Sequence, residues 1–244
     1  MSSTTAAEPL AGRSALVTGA SRGIGRECAR LFMECGARVV MLSRDMEAMS
    51  ELIAEREGRS VAYPADLSNP DGLPPVLQKA RDWIGGPPDI IVNNAGMFTI
   101  SPIESTGVDD LKGALRVNLA SPFLIVRVFL SDMKKRASGH VVTIGSIADH
   151  VAYPGNALYA ATKFGARGFH EVLREETRHS GVRASLISPG PVDTGIWDPV
   201  DPDNTPGFTP RSRMLTPQAV AEVVLWTVTR PVDVNIDVLR LSHS

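Results

Sequence analysis

The feature that most constrains the fold is a regular alternation of short apolar runs with longer helical patterns. Each run is rich in Val, Ile and Leu, which is typical of parallel strands that are covered on both faces. Seven such runs occur, at residues 14–20, 37–43, 60–67, 89–96, 140–146, 182–190 and 234–241. The pattern predicts an α/β fold: a single doubly wound, Rossmann-type domain with a seven-stranded parallel sheet and helices on both faces.

The intervening segments predict helices at residues 24–35, 46–57, 75–84, 157–173 and 216–229, together with a long apolar stretch after residue 96. Residues 1–9 are predicted to form a disordered N-terminal tail, which leaves residues 10–244 as the domain. One compositional break, at residues 193–214, is rich in Pro, Asp and Gly. It follows the carboxyl end of the sixth strand, where open α/β sheets bind ligands, so we expect a substrate lid there.

Charge and composition indicate the kind of partner to expect. A formal net charge of -2 gives no electrostatic reason for nucleic acid or an anionic membrane, and we expect no membrane-spanning segment of roughly 20 apolar residues. A small-molecule substrate is the expected partner. Cys28 and Cys35 fit neither a zinc site nor a redox pair, and the five histidines lack metal-ligand spacing, so no metal and a cytoplasmic location are expected.

A glycine turn closes the first predicted strand in the stretch VTGASRGIG. Gly19 would permit the tight turn, Gly23 would let the backbone approach a pyrophosphate, and Gly25 would allow close helix packing. The position between a strand and a helix indicates dinucleotide binding.

The end of the second predicted strand bears on which dinucleotide is bound. Ser43 and Arg44 offer a hydroxyl and a guanidinium that suit the 2′-phosphate of NADP(H), and Arg22 could add a second positive charge. Asp45 lies close enough to keep NAD(H) as the less favoured alternative.

Tyr159 and Lys163 lie four positions apart in a predicted helix, which puts both side chains on one helical face. Tyrosine is ordinarily a poor proton donor or acceptor near neutral pH, because its unperturbed pKa is about 10. A cationic neighbour stabilises the phenolate form. Ser146, at the carboxyl end of a strand, could hold a substrate oxygen.

These motifs occur in an order that resembles the short-chain dehydrogenase/reductase family. The residues that carry the resemblance are TGASRGIG at 18–25, NNAG at 93–96, Ser146, YAATK at 159–163 and PGPVDT at 189–194. The resemblance implies a catalytic set of Asn118, Ser146, Tyr159 and Lys163. Asn118 would keep a helix locally open and hold a water that links Lys163 to solvent.

The same resemblance implies a cofactor site that extends along the carboxyl ends of the strands. Besides the glycines, Tyr159 and Lys163, its members would be Ser21, Arg22, Ile24, Ser43, Arg44, Asp66, Leu67, Asn94, Ala95, Gly96, Pro189, Gly190, Val192 and Thr194. The resemblance also implies a homodimer or homotetramer, in which the helices of Asn118 and Tyr159 pair across subunits.

The expected function is NADP(H)-dependent hydride transfer between the nicotinamide and a ketone or secondary alcohol, with Tyr159 exchanging the proton. The C-terminal stretch VNIDVLRLSHS resembles the branch of the family that acts on short 3-hydroxy acids. Two alternatives remain open at this point. One is a 3-oxoacyl-carrier-protein reductase, with the basic patch at residues 134–136 docking its acidic partner. The other is a non-catalytic dinucleotide-binding regulatory protein.

Overall fold

The computed structural model describes residues 8–54 and 58–244, and its central feature is one seven-stranded sheet. All paired strands are parallel, in the order β3-β2-β1-β4-β5-β6-β7. The strands are β1 Ser14–Thr18, β2 Arg38–Ser43, β3 Ser60–Pro64, β4 Ile90–Asn93, β5 Gly139–Ile144, β6 Val182–Pro189 and β7 Val238–Leu241. This architecture confirms the predicted fold class.

Seven α-helices lie along the described residues and cover the sheet. They are α1 Gly23–Glu34, α2 Met46–Ala54, α3 Leu73–Ile84, α4 Val108–Leu115, α5 Ser121–Arg136, α6 Ala157–Thr177 and α7 Pro217–Val228. A π-helical turn, Arg116–Ala120, joins α4 to α5. Residues 1–7 of the predicted tail and residues 55–57 of the predicted second helix lie outside the described residues.

Two apolar cores lie between the sheet and its helices, one on each face of the sheet, because successive strand residues point to opposite faces. In β1, Ala15 and Val17 belong to one core, together with side chains of α1, α2 and α7. Leu16, between them, belongs to the other core, with side chains of α3, α5 and α6. Burial on both faces explains why the strands read as uninterrupted apolar runs.

The strands are shorter than the apolar runs that predicted them. The ends of several runs, among them residues 19–20, 94–96 and 145–146, continue beyond the last paired residue at the carboxyl edge of the sheet. β7 begins at Val238 rather than at residue 234, and Asn235 donates to the carbonyl of Ala184 at 3.1 Å instead of continuing the strand. The residues that follow the last paired position of these runs, at the carboxyl edge of the sheet, are the ones that carry the motifs.

One helical run among the described residues, Val108–Arg136, is 29 residues long and contains an 18-residue window with a mean hydropathy of 1.5, which is long and apolar enough to cross a membrane. The expectation that no segment meets this criterion is therefore wrong. The run consists of α4, the π-helical turn and α5, and Ile125, Phe129 and Met133 on one of its faces are buried in the second core. A core helix meets the same criterion, so length and composition alone assign this run no membrane role.

Candidate active site

A cleft of about 1380 Å³ opens along the carboxyl edge of the sheet. It spans the point between β1 and β4 where the strand order reverses, which is where ligands bind in open α/β sheets. Most of the predicted site residues line it: Gly19, Ser21, Arg22, Gly23, Ile24, Ser43, Arg44, Asp66, Leu67, Asn94, Ala95, Gly96, Ser146, Tyr159, Lys163, Pro189, Gly190, Val192 and Thr194. Gly25 and Asn118 do not, and both contribute to the site from behind its wall.

The glycine turn joins β1 to α1 and leaves little room for side chains. Gly19 has a φ of 65° and Gly23 a φ of 56°, in the left-handed region that favours glycine. A Cβ on Gly25 would lie 2.3 Å from the carbonyl oxygen of Gly19, so Gly25 acts by close packing rather than by facing the cleft. Arg22 is the N-cap of α1 and makes no capping hydrogen bond with its side chain. The first backbone amides of α1 therefore form a site suited to a phosphate.

The NNAG motif is held against the end of β1. The Asn94 side chain donates to the carbonyl oxygens of Thr18 at 2.9 Å and Gly19 at 3.3 Å. The backbone amides of Asn94 and Ala95 both donate to the Thr18 hydroxyl. The side chain of Asn94 thus fixes the glycine turn, while its backbone and that of Ala95 line the cleft.

The carboxyl ends of β2 and β3 bring one cation and two carboxylates to the cleft. Arg44 is exposed there, and the Ser43 hydroxyl donates to that of Ser21 at 2.8 Å. Asp45 accepts a hydrogen bond from the Ala48 amide at 3.1 Å near the start of α2. Hydrogen bonds from Ser68, and more weakly the Arg44 charge, hold the pKa of the Asp66 carboxyl below its usual value.

Tyr159 and Lys163 lie side by side on α6, as their spacing predicts. The Lys163 ammonium is 5.5 Å from the centre of the Tyr159 ring and donates to the carbonyl oxygen of Ile144 at 2.9 Å. Lys163 is only 6% exposed, so its charge acts in a medium that screens it less than water does. The pair places a phenol and a cation together at the cleft wall, which is a chemically usable arrangement.

Ser146 follows β5 and is held by a buried carboxylate that the sequence analysis missed. The Asp149 carboxylate, 2% exposed, accepts hydrogen bonds from the backbone amide of Ser146 at 3.3 Å and from the hydroxyl of Ser188. Its other oxygen is 2.6 Å from Nδ1 of His150. The S-x-x-D spacing of Ser146 and Asp149 is a capping-box pattern, and this signal could have revealed the contact.

Asn118 does not reach the cleft. It lies in the π-helical turn, 4% exposed, and its side chain exchanges hydrogen bonds with the backbone of Met97 at 2.7 and 2.9 Å. It also donates to the Thr162 hydroxyl at 2.9 Å, which in turn donates to the Tyr159 carbonyl at 2.8 Å. Asn118 therefore positions the loop after β4 against α6, and its predicted water relay stays a prediction.

An aromatic wall, defined as Tyr159, Phe98, Trp197 and Phe208, extends from the reacting end of the cleft. The ring of Phe98 lies 4.9 Å from that of Tyr159 and 4.8 Å from that of Trp197, both edge to face. Phe208 continues the wall at 6.3 Å from Trp197. Trp197 and Phe208 lie in the segment predicted as a lid, but sequence reasoning named neither of them nor Phe98, because only the folded chain brings Phe98 between Tyr159 and Trp197.

Two cationic features of the sequence lie elsewhere. Arg211 does not line the cleft, and its guanidinium bridges Asp193 at 2.7 Å and Asp198 at 2.6 Å. The basic patch at residues 134–136 ends α5 immediately before β5 begins, at the amino edge of the sheet, opposite the cleft. Within that patch Arg136 donates to the carbonyls of Pro87 and Pro88. Neither feature is presented to a substrate in the cleft.

The sheet topology, the phosphate-suited glycine turn and the Tyr159–Lys163 pair in the same cleft as Ser146 define a dinucleotide-binding oxidoreductase. The family model described as short chain dehydrogenase matches residues 13–205, and the chain belongs to that family. It is accordingly an enzyme that acts on CH–OH or C=O groups rather than a non-catalytic dinucleotide-binding protein.

Individual relatives match over most of their length. An uncharacterized oxidoreductase of Staphylococcus aureus (strain MW2) is 33% identical over 230 residues, which is 93% of this chain and 96% of the relative. A metagenomic short-chain oxidoreductase in complex with NADP is 29% identical with a TM-score of 0.82, covering 97% of this chain and 100% of its own. The closed form of a serine dehydrogenase complexed with NADP+ is 31% identical with a TM-score of 0.84, covering 93% of each chain.

Proposed function

We propose that the protein is an NADP(H)-dependent oxidoreductase that interconverts a ketone and a secondary alcohol. The observation that carries the proposal is the Tyr159–Lys163 pair, which lies in one cleft with Ser146 and with the glycine turn. Proton exchange at a substrate oxygen requires a donor and a hydrogen-bonding partner at the same place, and these three side chains provide both.

In the reducing direction, Tyr159 donates its phenolic proton to the carbonyl oxygen as negative charge develops there. Ser146 donates a hydrogen bond to the same oxygen and orients the carbonyl. The Lys163 ammonium, 5.5 Å from the centre of the Tyr159 ring, stabilises the resulting phenolate by its charge. When bound, the nicotinamide supplies the hydride, or accepts it in the oxidising direction. In that direction the Tyr159 phenolate removes the proton of the alcohol.

Two cations that line the cleft favour a dinucleotide that carries a 2′-phosphate. Both guanidinium groups on the glycine-turn side of the cleft, Arg22 and Arg44, are exposed and line it. One oxygen of Asp45, the carboxylate that would favour NAD(H), accepts a hydrogen bond from the Ala48 amide near the start of α2. The NADP complexes of the two similar structures support the same preference.

The test of the proposal is an NADPH-oxidation screen against 3-oxo acids, 3-oxoacyl thioesters, diketones and simple ketones, repeated with NADH. On any substrate found, Tyr159→Phe should lower kcat by about 10²- to 10⁴-fold because the proton donor is lost. Tyr63→Phe is the matched control, since Tyr63 lies on β3 outside the cleft. A Tyr159→Phe enzyme that is folded and keeps near-wild-type turnover would refute the mechanism.

The cofactor preference has its own variant. Arg44→Ala should raise the KM for NADPH by about tenfold and leave that for NADH nearly unchanged, because only NADPH carries the 2′-phosphate. Arg240→Ala, which removes an exposed arginine of β7, is the control. Equal changes for both cofactors would assign Arg44 a role outside 2′-phosphate binding.

We also propose that two copies of the chain pair through the outer faces of α4, α5 and α6. Large apolar side chains are exposed on these helices, with Phe123 48% and Phe164 47% exposed. Phe123 contacts Phe169 of α6 at 5.2 Å, so the exposed groups of α5 and α6 adjoin. Phe164→Glu should shift sedimentation toward the monomer. A wild-type protein that sediments as a monomer would overturn the proposal.

A further inference from the structure

We propose that the substrate of this enzyme is an uncharged carbonyl compound or alcohol that carries an aromatic or similarly bulky apolar group. The proposal rests on the proposed function, because it concerns the same cleft. It departs from the short 3-hydroxy acid suggested by the C-terminal sequence.

The first observation is the location of charge in the cleft. Among the described residues that line it, only Arg22, Arg44, Asp45, Asp66 and Lys163 are charged. The first four follow the carboxyl ends of β1, β2 and β3 in the chain, and of their side chains that of Arg22 reaches Gly195 at the start of the loop at 193–214, where the Asp198 carboxylate also approaches. The polar side chains beyond Tyr159, among them Tyr153, Asn156 and Thr209, are neutral.

Lys163 does not serve a substrate anion either. Its ammonium is buried, donates to the carbonyl of Ile144 and lies beside the Tyr159 ring, where it stabilises the phenolate. A substrate carboxylate beyond Tyr159 would therefore lose its water without gaining a cation. An unpaired buried carboxylate is strongly disfavoured, so this end of the cleft selects against acids.

Arg211, in the loop at 193–214, does not line the cleft and does not serve a substrate anion. Its guanidinium contacts Asp193, Asp198 and the carbonyl of Thr194 within the loop at 193–214. Two carboxylates already neutralise this one cation, so it has no excess charge to offer a substrate.

The second observation is the apolar surface that takes the place of charge. The aromatic wall presents Phe98, Trp197 and Phe208 to the cleft, and Ile100 and Ile147 add aliphatic surface. Trp197 uses its one polar atom, Nε1, to donate to the carbonyl of Val192 at 3.1 Å, which leaves its ring free for apolar contact. Aromatic rings arranged edge to face bind another aromatic group well.

The experiment uses four ketones that separate charge from apolar bulk. Methyl 4-acetylbenzoate and 4-acetylbenzoate differ in the charge and one methyl group of a substituent that is remote from the reacting carbonyl, and methyl 4-oxopentanoate and 4-oxopentanoate form the aliphatic pair. With NADPH, we expect kcat/KM for methyl 4-acetylbenzoate to exceed that of each other compound by about tenfold or more. Equal values for the two acetylbenzoates, or a preference for either acid, would overturn the proposal.

A binding measurement tests the preference for an uncharged substrate independently of turnover. In the presence of NADP+, methyl 4-acetylbenzoate should raise the melting temperature while 4-acetylbenzoate should not. The reverse order would overturn the proposal. Failure of the proposed function looks different: no carbonyl compound in the broad screen would be reduced, whatever the order of binding. Turnover confined to acids would leave the proposed function standing and remove this proposal alone.

A variant that adds a positive charge to the aromatic wall tests whether charge determines the preference for the ester over the acid. Phe208→Arg places a cation on the aromatic wall and should raise the ratio of kcat/KM for 4-acetylbenzoate to that for its methyl ester by about tenfold. Val232→Arg adds the same charge at a position that is 80% exposed and outside the cleft, so it should leave the ratio unchanged. An unchanged ratio in a folded Phe208→Arg enzyme would count against charge as the determinant.

Discussion

At the scale of single residues, the geometry of Ser146 depends on a carboxylate that does not itself line the cleft. Asp149 accepts from the Ser146 amide and from Ser188, and His150 lies against its second oxygen. Ser188 belongs to β6, so this carboxylate ties the end of β5 to the neighbouring strand. Because Asp149 is buried, the loss of any one of these hydrogen bonds leaves a polar group without a partner in an interior that solvates it poorly.

Asp149→Asn is therefore expected to disturb Ser146 without touching the cofactor site. An amide retains one acceptor oxygen in place of two and brings an N–H group toward existing donors. We expect kcat to fall about tenfold while the dissociation constant of NADPH stays within about twofold, with a stability loss of about 1–3 kcal/mol. Steady-state kinetics, NADPH titration and thermal melting measure the three quantities.

The control for Asp149→Asn is Asp82→Asn, in which an exposed carboxylate of α3 loses its charge. Since Asp149 would act through Ser146, the variant Asp149→Asn should add little to the defect of Ser146→Ala in the double mutant. Fully additive losses in kcat would contradict a positioning role.

Individual residues differ in how far their place could be predicted from the sequence. The positions of Tyr159 and Lys163 follow from helical spacing, and those of Gly19 and Gly23 from backbone sterics, because both arguments are local. Asn118 lies behind the cleft wall, where its side chain is held by hydrogen bonds to Met97 and Thr162. These bonds depend on how α6 packs, which the spacing of residues along the chain does not reveal. Asp149 was within reach of local reasoning, whereas Phe98 beside Trp197 was not.

At the scale of elements, the loop at 193–214 is held at both ends and braced across its middle. A β-bridge joins Val192 to Leu215, so the two ends of the loop adjoin. Arg211 contacts Asp193 and Asp198 through its side chain, and its amide donates to Asp203 at 2.8 Å. Part of this loop, including Trp197 and Phe208, lines the cleft, which fits the predicted lid, although its movement stays a prediction.

Arg211→Met is expected to loosen this loop. The apolar replacement keeps much of the side-chain length but removes the contacts to Asp193, Asp198 and the Thr194 carbonyl. Exposed ion pairs contribute only about 0–1 kcal/mol each, so global stability should change little, while the substrate KM should rise several-fold. Limited proteolysis between residues 198 and 210 should become faster, and substrate kinetics complete the measurement.

Arg213→Met is the matched comparison, because Arg213 lies in the same short 3-10 turn and does not line the cleft. It should leave both KM and proteolysis near wild type. If the two variants behave alike, the brace formed by Arg211 does not control the loop.

The strands could be predicted because their burial determines the apolar pattern of their sequence. Strands covered on both faces read as apolar runs, and their order along the chain implied the sheet. The π-helical turn at Arg116–Ala120 contains Asn118, where the resemblance implied a locally open helix. Its extra residue shifts the apolar spacing of the helices on either side, so the spacing alone did not predict it. For the same reason the stretch after residue 96 was not recognised as the continuous run Val108–Arg136.

At the scale of the whole molecule, two histidines are buried where protonation is unfavourable. His140 of β5 is 2% exposed, with Nε2 2.8 Å from the Ser185 hydroxyl. Burial, and then the charges of Arg183 and Arg13, lower the pKa of His140 to about 3. Burial is also the main cause that lowers the pKa of His170. The His140 ring therefore stays neutral in the folded state under mildly acidic conditions.

This burial makes the folded state sensitive to acid. Below pH about 6.5 the unfolded chain binds a proton at His140 that the folded chain does not bind, so stability falls as the pH falls toward about 3. Between pH 6.5 and 4.5 the loss from this one ring is about 2 kcal/mol.

His140→Gln, which keeps a hydrogen-bonding group opposite Ser185, should reduce the decline in unfolding free energy over that interval by about that amount. Urea unfolding at successive pH values measures it, with His243→Gln as the exposed control. Parallel pH curves for wild type and His140→Gln would show that His140 is protonated equally in both states.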